Sequence, residues 1–226
     1  MKMKGMIFDF NGTLFFDSHL HERAWLEVAE QLTGKKPSVE EYYEKMHGRT
    51  NKGILKNLLG SLPSDEECYR IGEEKEAYYR RLCLEESDGK PVLAPGAEAL
   101  LDFLAEKGLP RAIATSAGIS NVEFYREIFG LDRWFTEDVL VYDDGTLNSK
   151  PAPDLYLLAA RRIGIHPSEL AMAEDSFSGL RAINNAGAGY RVGISPTGKK
   201  GFKGVELTDT VVSSFDMLDR NIFEFK

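Results

Sequence analysis

Residues 4–13, KGMIFDFNGT, combine the features of a buried strand and of a tight turn. Residues 4–10 predict a short buried strand, because they end in an apolar run that only Asp9 interrupts. Asn11-Gly12-Thr13 follows at once and has the composition of a turn. So short a strand cannot bury its apolar side chains alone, and it must therefore belong to a larger sheet.

Beyond residue 91 the chain alternates between apolar runs and amphipathic segments. The runs that predict strands lie at 111–116, 139–142, 170–174 and 190–194. The helices predicted between and after them lie at 97–107, 120–130, 154–163, 178–186 and 215–225. Ser120 with Glu123 has the spacing of an N-cap pair for the second of these helices. The alternation indicates an α/β fold, with a parallel Rossmann-like sheet and helices on both faces.

Residues 19–86 have the character of a helical bundle. An apolar stripe with i, i+4 spacing runs from Leu20 to Leu32, and Gly34 ends that helix. Ser38 and Ser64 each precede a glutamate by three positions, which is the spacing of a capping box.

The helical stretch is therefore predicted to be an insert after the first strand. We expect an α/β catalytic core domain formed by residues 1–15 and 92–226, and a helical cap domain formed by residues 16–91.

Composition excludes several classes of partner. The chain has 226 residues and a net charge of −8, which disfavours nucleic acid and anionic membranes. No run approaches the roughly 20 apolar residues of a membrane-spanning helix. Cys68 and Cys83 fall in one predicted helix and are too far apart to bridge. We expect a cytoplasmic monomer that acts on a small molecule.

Polar side chains follow the predicted strands where each strand ends, or lie in a loop before a helix. They are Asp9, Asn11, Thr115, Ser116, Lys150, Glu174 and Asp175. Ligands bind at the carboxyl ends of the strands in open parallel sheets. Three converging carboxylates would repel one another, which implies an oxygen-preferring cation such as Mg²⁺. A lysine and a hydroxyl beside them complete a set suited to binding phosphate.

Four segments resemble the four motifs of the haloacid dehalogenase (HAD) superfamily. They are DFNGTL at 9–14, Thr115, KPAPD at 150–154 and EDSFSG at 174–179. HERAW at 21–25 and GRT at 48–50 resemble the helical cap of its β-phosphoglucomutase-like phosphatase branch. The resemblance extends over nearly the whole chain.

The resemblance implies a Mg²⁺-dependent phosphohydrolase. Asp9 would attack phosphorus and form an aspartyl phosphate. Mg²⁺ would be held by the carboxylate of Asp9, the main-chain carbonyl of Asn11, and Asp175 with or without Glu174.

The same resemblance assigns residues to the phosphoryl group and to the substrate. Lys150 would neutralise charge on the phosphoryl oxygens, and Thr115 would donate a hydrogen bond to one of them. The residues expected to lie against substrate are Gly12, Ser116, His21 and Arg49. Gly12 lets the backbone approach the phosphate, and Arg49 is placed to hold a distal phosphate or sugar oxygen. The implied substrate is a small phosphorylated metabolite resembling a sugar phosphate.

Asn11 departs from the family pattern. The family's phosphatases carry a second aspartate two residues after the nucleophile, which protonates the leaving group and then deprotonates water. An amide has no ionisable proton at neutral pH, so general acid–base assistance of roughly 10²–10⁴ in rate is missing. The backbone carbonyl at this position remains available to the metal.

Several explanations of Asn11 remain open. In the first, the protein is a phosphatase that is slow, that uses another base such as His21, or whose substrate has a good leaving group. In the second, it is a non-catalytic protein that binds a phosphometabolite. In the third, Asn11 is an engineered residue or changes by deamidation, to which Asn11-Gly12 is prone.

Other reactions on a similar sheet fit the sequence less well. A β-phosphoglucomutase also depends on the acid–base residue that Asn11 replaces. A phospho-signalling receiver domain has its acidic pair early and needs no helical insert. A dehalogenase would not need the metal-binding pair Glu174-Asp175.

Overall fold

The computed structural model describes residues 2–46, 50–200 and 202–224. The chain divides into two compact units, one formed by Met1–Phe16 with Val92–Lys226 and the other by Asp17–Pro91. Within the described ranges no helix is both long and apolar enough to cross a membrane.

Eight α-helices occur among the described residues. They are α1 (Ser18–Thr33), α2 (Val39–Lys45), α3 (Asn51–Leu59), α4 (Asp65–Glu86), α5 (Ala97–Glu106), α6 (Ile119–Phe129), α7 (Asp154–Arg162) and α8 (Phe177–Asn185). The first four belong to the second unit, and the last four belong to the first.

The first unit is built on one six-stranded sheet. Its strands are β1 (Gly5–Phe8), β2 (Arg111–Ala114), β3 (Leu140–Val141), β4 (Leu170–Glu174), β5 (Tyr190–Ile194) and β6 (Thr210–Val212). The order across the sheet is β3-β2-β1-β4-β5-β6, and every neighbouring pair is parallel. The predicted α/β fold with a parallel sheet is confirmed.

Burial of the central strands explains their apolar composition. All residues of β1 and β4 are buried, as expected for parallel strands that helices cover on both faces. Leu155 of α7 and Leu180 of α8 pack into one apolar cluster with Ile7 and Met172 of the sheet. Each such side chain contributes about 1.5–3 kcal/mol by leaving water.

The strand order places a topological switch point beside β1. The chain runs from β1 through β2 to β3 on one side and then crosses to β4 on the other. A crevice opens outside the carboxyl ends at such a point, where ligands bind in open α/β sheets. The residues after β1 and at the end of β4 therefore lie where a site is expected.

The second unit is a helical bundle with its own apolar core. Trp25 of α1 packs with Ile54 of α3 and Ile71 of α4 in one buried cluster. Gly34 ends α1 in the left-handed conformation, with φ of 71°, as the sequence predicts. Ser38 forms the complete capping box at the start of α2.

Two local predictions are wrong. Gly118, and not Ser120, is the N-cap of α6, so the helix begins earlier than the Ser-x-x-Glu spacing indicates. The predicted C-terminal helix at 215–225 is replaced, in the part that the structure describes, by short 3₁₀ turns at Phe215–Met217 and Arg220–Ile222. The side chains before these turns accept backbone hydrogen bonds and so close single turns. Strand β6, which the sequence analysis did not predict, forms the edge of the sheet.

Candidate active site

The carboxyl ends of β1 and β4 bring acidic side chains together. Phe8 is paired with Ala173, so Asp9 and Glu174 emerge side by side. Both side chains are buried, at 5% and 0% exposure. Ligand oxygens of Asp9, Glu174 and Asp175 all lie within 4.8 Å of one another.

Lys150 lies between two of these carboxylates. It comes from the loop before α7, and its Nζ donates to Oδ1 of Asp9 at 2.5 Å and to Oε1 of Glu174 at 2.6 Å. Its side chain is 9% exposed, so these contacts are shielded from solvent. One ammonium among three carboxylates still leaves an excess of negative charge when Asp175 is counted.

The pKa values of this group follow from burial and from the Lys150 contacts. Burial raises the pKa of Asp9 to about 7, since desolvation and the nearby Glu174 outweigh the attraction of Lys150. Burial would also raise the pKa of Glu174, but Lys150, together with the hydrogen bonds from Tyr156 and Ser176, outweighs burial and holds that pKa below its usual value. Burial disfavours the Lys150 ammonium, yet the two carboxylates outweigh that effect and raise its pKa.

These residues fit a hard divalent cation. All of the side-chain donors are carboxylate oxygens, which Mg²⁺ prefers, and their unbalanced negative charge favours a cation. Gly12, with φ of 77°, is packed against Asp175, because a Cβ at that position would overlap its carboxylate. The backbone of the β1 turn thus lies directly against the Asp175 carboxylate.

Hydrogen bonds fix the turn after β4. The backbone nitrogens of Asp175 and Ser176 donate to Oε2 of Glu174 at 3.0 and 3.1 Å. The hydroxyl of Ser176 also donates to that oxygen, and it accepts from the backbone nitrogen of Gly179 at the start of α8. A Cβ at Gly179 would overlap Glu174, so helix and carboxylate are packed without spare volume.

Thr115 and Ser116 follow β2 on the other side of β1. Thr115 is buried, and its hydroxyl accepts from the backbone nitrogen of Ala117 at 3.1 Å. The same hydroxyl donates to Oδ1 of Asn11 at 3.4 Å. Ser116 is exposed.

The side chain of Asn11 is held at its nitrogen end as well. Its Nδ2 donates to the hydroxyl of Tyr125 at 2.7 Å. Tyr125 comes from α6 and stacks on Phe10, with ring centroids 4.2 Å apart and planes at 16°. Sequence reasoning did not find Tyr125, because only the tertiary fold places α6 beside the β1 turn.

Tyr156 of α7 is a second residue that sequence reasoning missed. Its hydroxyl donates to Oε1 of Glu174 at 2.7 Å, and Nζ of Lys150 lies 5.1 Å from the centroid of its ring. Tyr156 is fully buried. A tyrosine among the buried apolar positions of α7 indicates that its hydroxyl has a hydrogen-bond partner, and this feature of the sequence could have identified Tyr156.

His21 belongs to a polar cluster inside the second unit. Its Nδ1 lies 2.7 Å from Nζ of Lys75, its Nε2 lies 3.5 Å from Oδ2 of Asp17, and its ring stacks on Tyr79 at 3.9 Å. Lys75 is 2% exposed, and burial lowers its pKa although Glu76 opposes that effect. His21 is therefore not a solvated surface histidine.

Arg49 lies outside the described residues, so the structure places nine of the ten predicted site residues. It brings together, in the first unit, all of those that the sequence assigns to strand ends, the β1 turn and the loop before α7. They are Asp9, Asn11, Gly12, Thr115, Ser116, Lys150, Glu174 and Asp175.

Comparison with known proteins agrees with this architecture. The family model described as haloacid dehalogenase-like hydrolase matches residues 3–187. A phosphorylated carbohydrates phosphatase of Thermotoga maritima is 30% identical over 189 residues, covering 82% of each chain.

Two solved structures extend the likeness to the fold. A HAD hydrolase of family IA, variant 3, from Entamoeba histolytica superposes with a TM-score of 0.87 at 31% identity, covering 97% of each chain. A mutant of CbbY from Rhodobacter sphaeroides, in complex with xylulose-1,5-bisphosphate, gives a TM-score of 0.79 at 28% identity, covering 96% of each. The chain therefore belongs to the haloacid dehalogenase-like hydrolase family.

Proposed function

We propose that this protein is a Mg²⁺-dependent phosphatase that hydrolyses small phosphorylated carbohydrates through a phosphorylated Asp9. The observation that carries the proposal is the buried group at the carboxyl edge, in which Lys150 contacts Asp9 and Glu174 beside Asp175. Two relatives support the substrate class. One is named a phosphorylated carbohydrates phosphatase, and the other, CbbY, was solved in complex with a sugar bisphosphate.

Asp9 is proposed as the nucleophile. A carboxylate oxygen of Asp9 forms a bond to phosphorus as the bond between phosphorus and the ester oxygen breaks, and the released alkoxide takes a proton from water and leaves as the alcohol. A second water then attacks the phosphoryl group and breaks its bond to Asp9, so that hydrogen phosphate leaves and the carboxylate is regenerated. The proton that this water gives up neutralises the hydroxide left by the first step. Lys150 keeps the carboxylate oriented, since its Nζ donates to Oδ1 of Asp9.

A Mg²⁺ ion would be held by the carboxylates of Asp9 and Asp175 and the carbonyl of Asn11, with Glu174 beside them. Bound there, it would supply positive charge for the phosphoryl oxygens in the transition state. Lys150 adds charge from the protein itself, and Thr115 donates a hydrogen bond to a phosphoryl oxygen.

The substrate-side residues complete the proposal. In the first unit, Gly12 and Ser116 lie against the phosphate. We assign the unit Asp17–Pro91 to the cap domain, and we assign recognition of the rest of the substrate to His21 and Arg49. Buried, unbridged Cys68 and Cys83 support a reducing compartment such as the cytoplasm.

Asn11 makes the proposed enzyme slow. Its amide cannot protonate a leaving group, so turnover should favour esters whose alcohol is a good leaving group. Phosphoryl transfer of the β-phosphoglucomutase type is disfavoured for the same reason, because a mutase needs acid–base assistance in both half-reactions.

A phosphate-release screen tests the proposal. The purified chain is assayed with Mg²⁺ on p-nitrophenyl phosphate and a panel of sugar phosphates, beside Asp9→Asn and the control Asp143→Asn. The Asp143 carboxylate accepts a hydrogen bond from the backbone nitrogen of Gly145, and an amide oxygen can accept the same bond, so that control should retain wild-type rates. Turnover that needs Mg²⁺ and Asp9 supports the proposal. Turnover that survives Asp9→Asn contradicts it, and binding without turnover would indicate a non-catalytic protein.

A further inference from the structure

We propose that Tyr156 is a positioning residue, which holds Lys150 and Glu174 together so that the ammonium stays against Asp9. This inference rests on the proposed function, because it assigns a task within the same site. Tyr156 lies on α7, is fully buried, and reaches both side chains. Its hydroxyl donates to Oε1 of Glu174 at 2.7 Å, and its ring faces Nζ of Lys150 at 5.1 Å.

The shared oxygen of Glu174 is the centre of the arrangement. Oε1 accepts from the Tyr156 hydroxyl at 2.7 Å and from Nζ of Lys150 at 2.6 Å. The other oxygen accepts from the backbone nitrogens of Asp175 and Ser176. Donors on both oxygens prevent the carboxylate from rotating, and a fixed carboxylate gives the ammonium one defined position.

The hydroxyl of Tyr156 is not needed for packing. The ring belongs to the apolar cluster that also contains Leu155, Ala159 and Met172. Phenylalanine would fill the same volume without burying a polar group, which costs free energy unless it is hydrogen bonded. The bond to Glu174 offsets that cost, and it is the interaction that a tyrosine adds at this position.

The ring of Tyr156 acts on Lys150 from another side. A lysine ammonium above an aromatic ring is attracted by its electron-rich face, and the ring excludes water there. The ammonium is then directed to the oxygens of Asp9 and Glu174, at 2.5 and 2.6 Å.

The expected kinetic effect follows from the task of Lys150. Lys150 balances negative charge on the phosphoryl oxygens, and this charge is redistributed in the transition state. Displacement of the ammonium therefore raises the free energy of the transition state more than that of the substrate complex. A defect in positioning therefore lowers kcat and leaves KM nearly unchanged.

The test compares Tyr156→Phe with Tyr190→Phe. Tyr190 begins β5, at the end of the sheet remote from the carboxyl edge. With the best substrate of the screen, we expect Tyr156→Phe to lower kcat about tenfold, as for a lost hydrogen bond to a charged group, with KM within about twofold. Calorimetry with Mg²⁺ should show orthovanadate, which mimics the transition state, binding about tenfold more weakly, while inorganic phosphate binds as before. Tyr190→Phe should match the wild type.

A double variant tests whether Tyr156 acts through Lys150. Adding Tyr156→Phe to Lys150→Ala should lower kcat no further, because the group to be positioned is gone. Three outcomes would each overturn the inference. They are full additivity of the two substitutions, unchanged kcat and vanadate affinity in Tyr156→Phe, and equal weakening of vanadate and phosphate binding.

Circular dichroism of Tyr156→Phe shows whether the fold is retained. If the wild type has no Asp9-dependent turnover, the proposed function fails and this inference with it, whereas an active wild type with a normal Tyr156→Phe overturns this inference alone.

Discussion

The hydroxyl of Tyr125 accepts a hydrogen bond from Nδ2 of Asn11 at 2.7 Å, while the hydroxyl of Thr115 donates to the other end of the same amide. The side chain of Asn11, at the position where our proposal lacks an acid–base residue, is therefore bonded at both ends. A hydroxyl can turn from acceptor to donor, so Tyr125 is equally able to bond a carboxylate at position 11. The structure can accommodate an aspartate there without rebuilding.

The first prediction is that Asn11→Asp raises the rate of phosphate release by at least about tenfold, within the range of general acid–base effects. The new carboxyl group can protonate the leaving alkoxide and then accept a proton from water. Steady-state assays of both proteins on one sugar phosphate measure the effect. Intact mass must be recorded for each, because deamidated wild type would raise the baseline. Equal rates would mean that another residue supplies the proton.

The second prediction concerns the stability of Asn11 toward deamidation. Cyclisation requires the backbone nitrogen of Gly12 to attack the side-chain carbon of Asn11. In the fold that nitrogen donates to the carbonyl of Phe15 at 2.7 Å, and the Asn11 amide is held by Tyr125. We therefore expect folded protein at mildly alkaline pH to keep its mass while the same protein in urea deamidates. Equal rates of Asn11 deamidation in the native and unfolded samples would contradict this prediction. Any aspartate that forms at position 11 in the native protein should raise phosphatase activity in proportion to its amount.

A third prediction isolates the contact between Gly12 and Asp175. Gly12→Ala introduces a Cβ that overlaps the Asp175 carboxylate, in addition to straining a backbone with φ of 77°. Gly145 is a matched control, since its φ is 82° and nothing lies near its Cβ position. Gly145→Ala should cost only the left-handed conformation, about 1–2 kcal/mol of unfolding free energy. Gly12→Ala should cost more and should also weaken Mg²⁺ binding. Urea denaturation and calorimetric Mg²⁺ titration measure both effects, and equal losses in the two variants would argue against the contact.

The parts of the site that the sequence could predict are those that follow strand ends. Asp9, Thr115 and Glu174 each come directly after or at the end of an apolar run, and parallel pairing brings such positions to one edge. The contacts of Tyr125 and Tyr156 depend on how α6 and α7 dock on the sheet. No local pattern encodes that docking, so these residues were found only in the fold.

The fold predictions that failed did so for a related reason. Strand β6 has three residues, too few for a period to stand out, and its identity as a strand comes from pairing with β5. The side chains of Ser214 and Asp219 bond nearby backbone nitrogens and stop the helix that the apolar residues from 215 onward favour. The capping hydrogen bonds therefore decide the local structure there, and the apolar periodicity does not.

The last prediction concerns the thiol of Cys83 on α4. Burial raises the pKa of Cys83 to about 12, so at pH 8 the folded protein holds it as the unreactive thiol. An aromatic disulfide reagent should therefore label Cys83 only after unfolding.

The raised pKa of Cys83 also makes the free energy of unfolding depend on pH. The contribution of the buried thiol to that free energy is complete below the unfolded pKa of 9.0 and is lost as pH rises toward 12. Cys83→Ala should show a smaller loss of unfolding free energy above pH 9.0 than the wild type, with Cys68→Ala as the control on the same helix. Rapid labelling of Cys83 in the native protein, or identical pH profiles for the wild type and Cys83→Ala, would show that this thiol is not held in its protonated form by the fold.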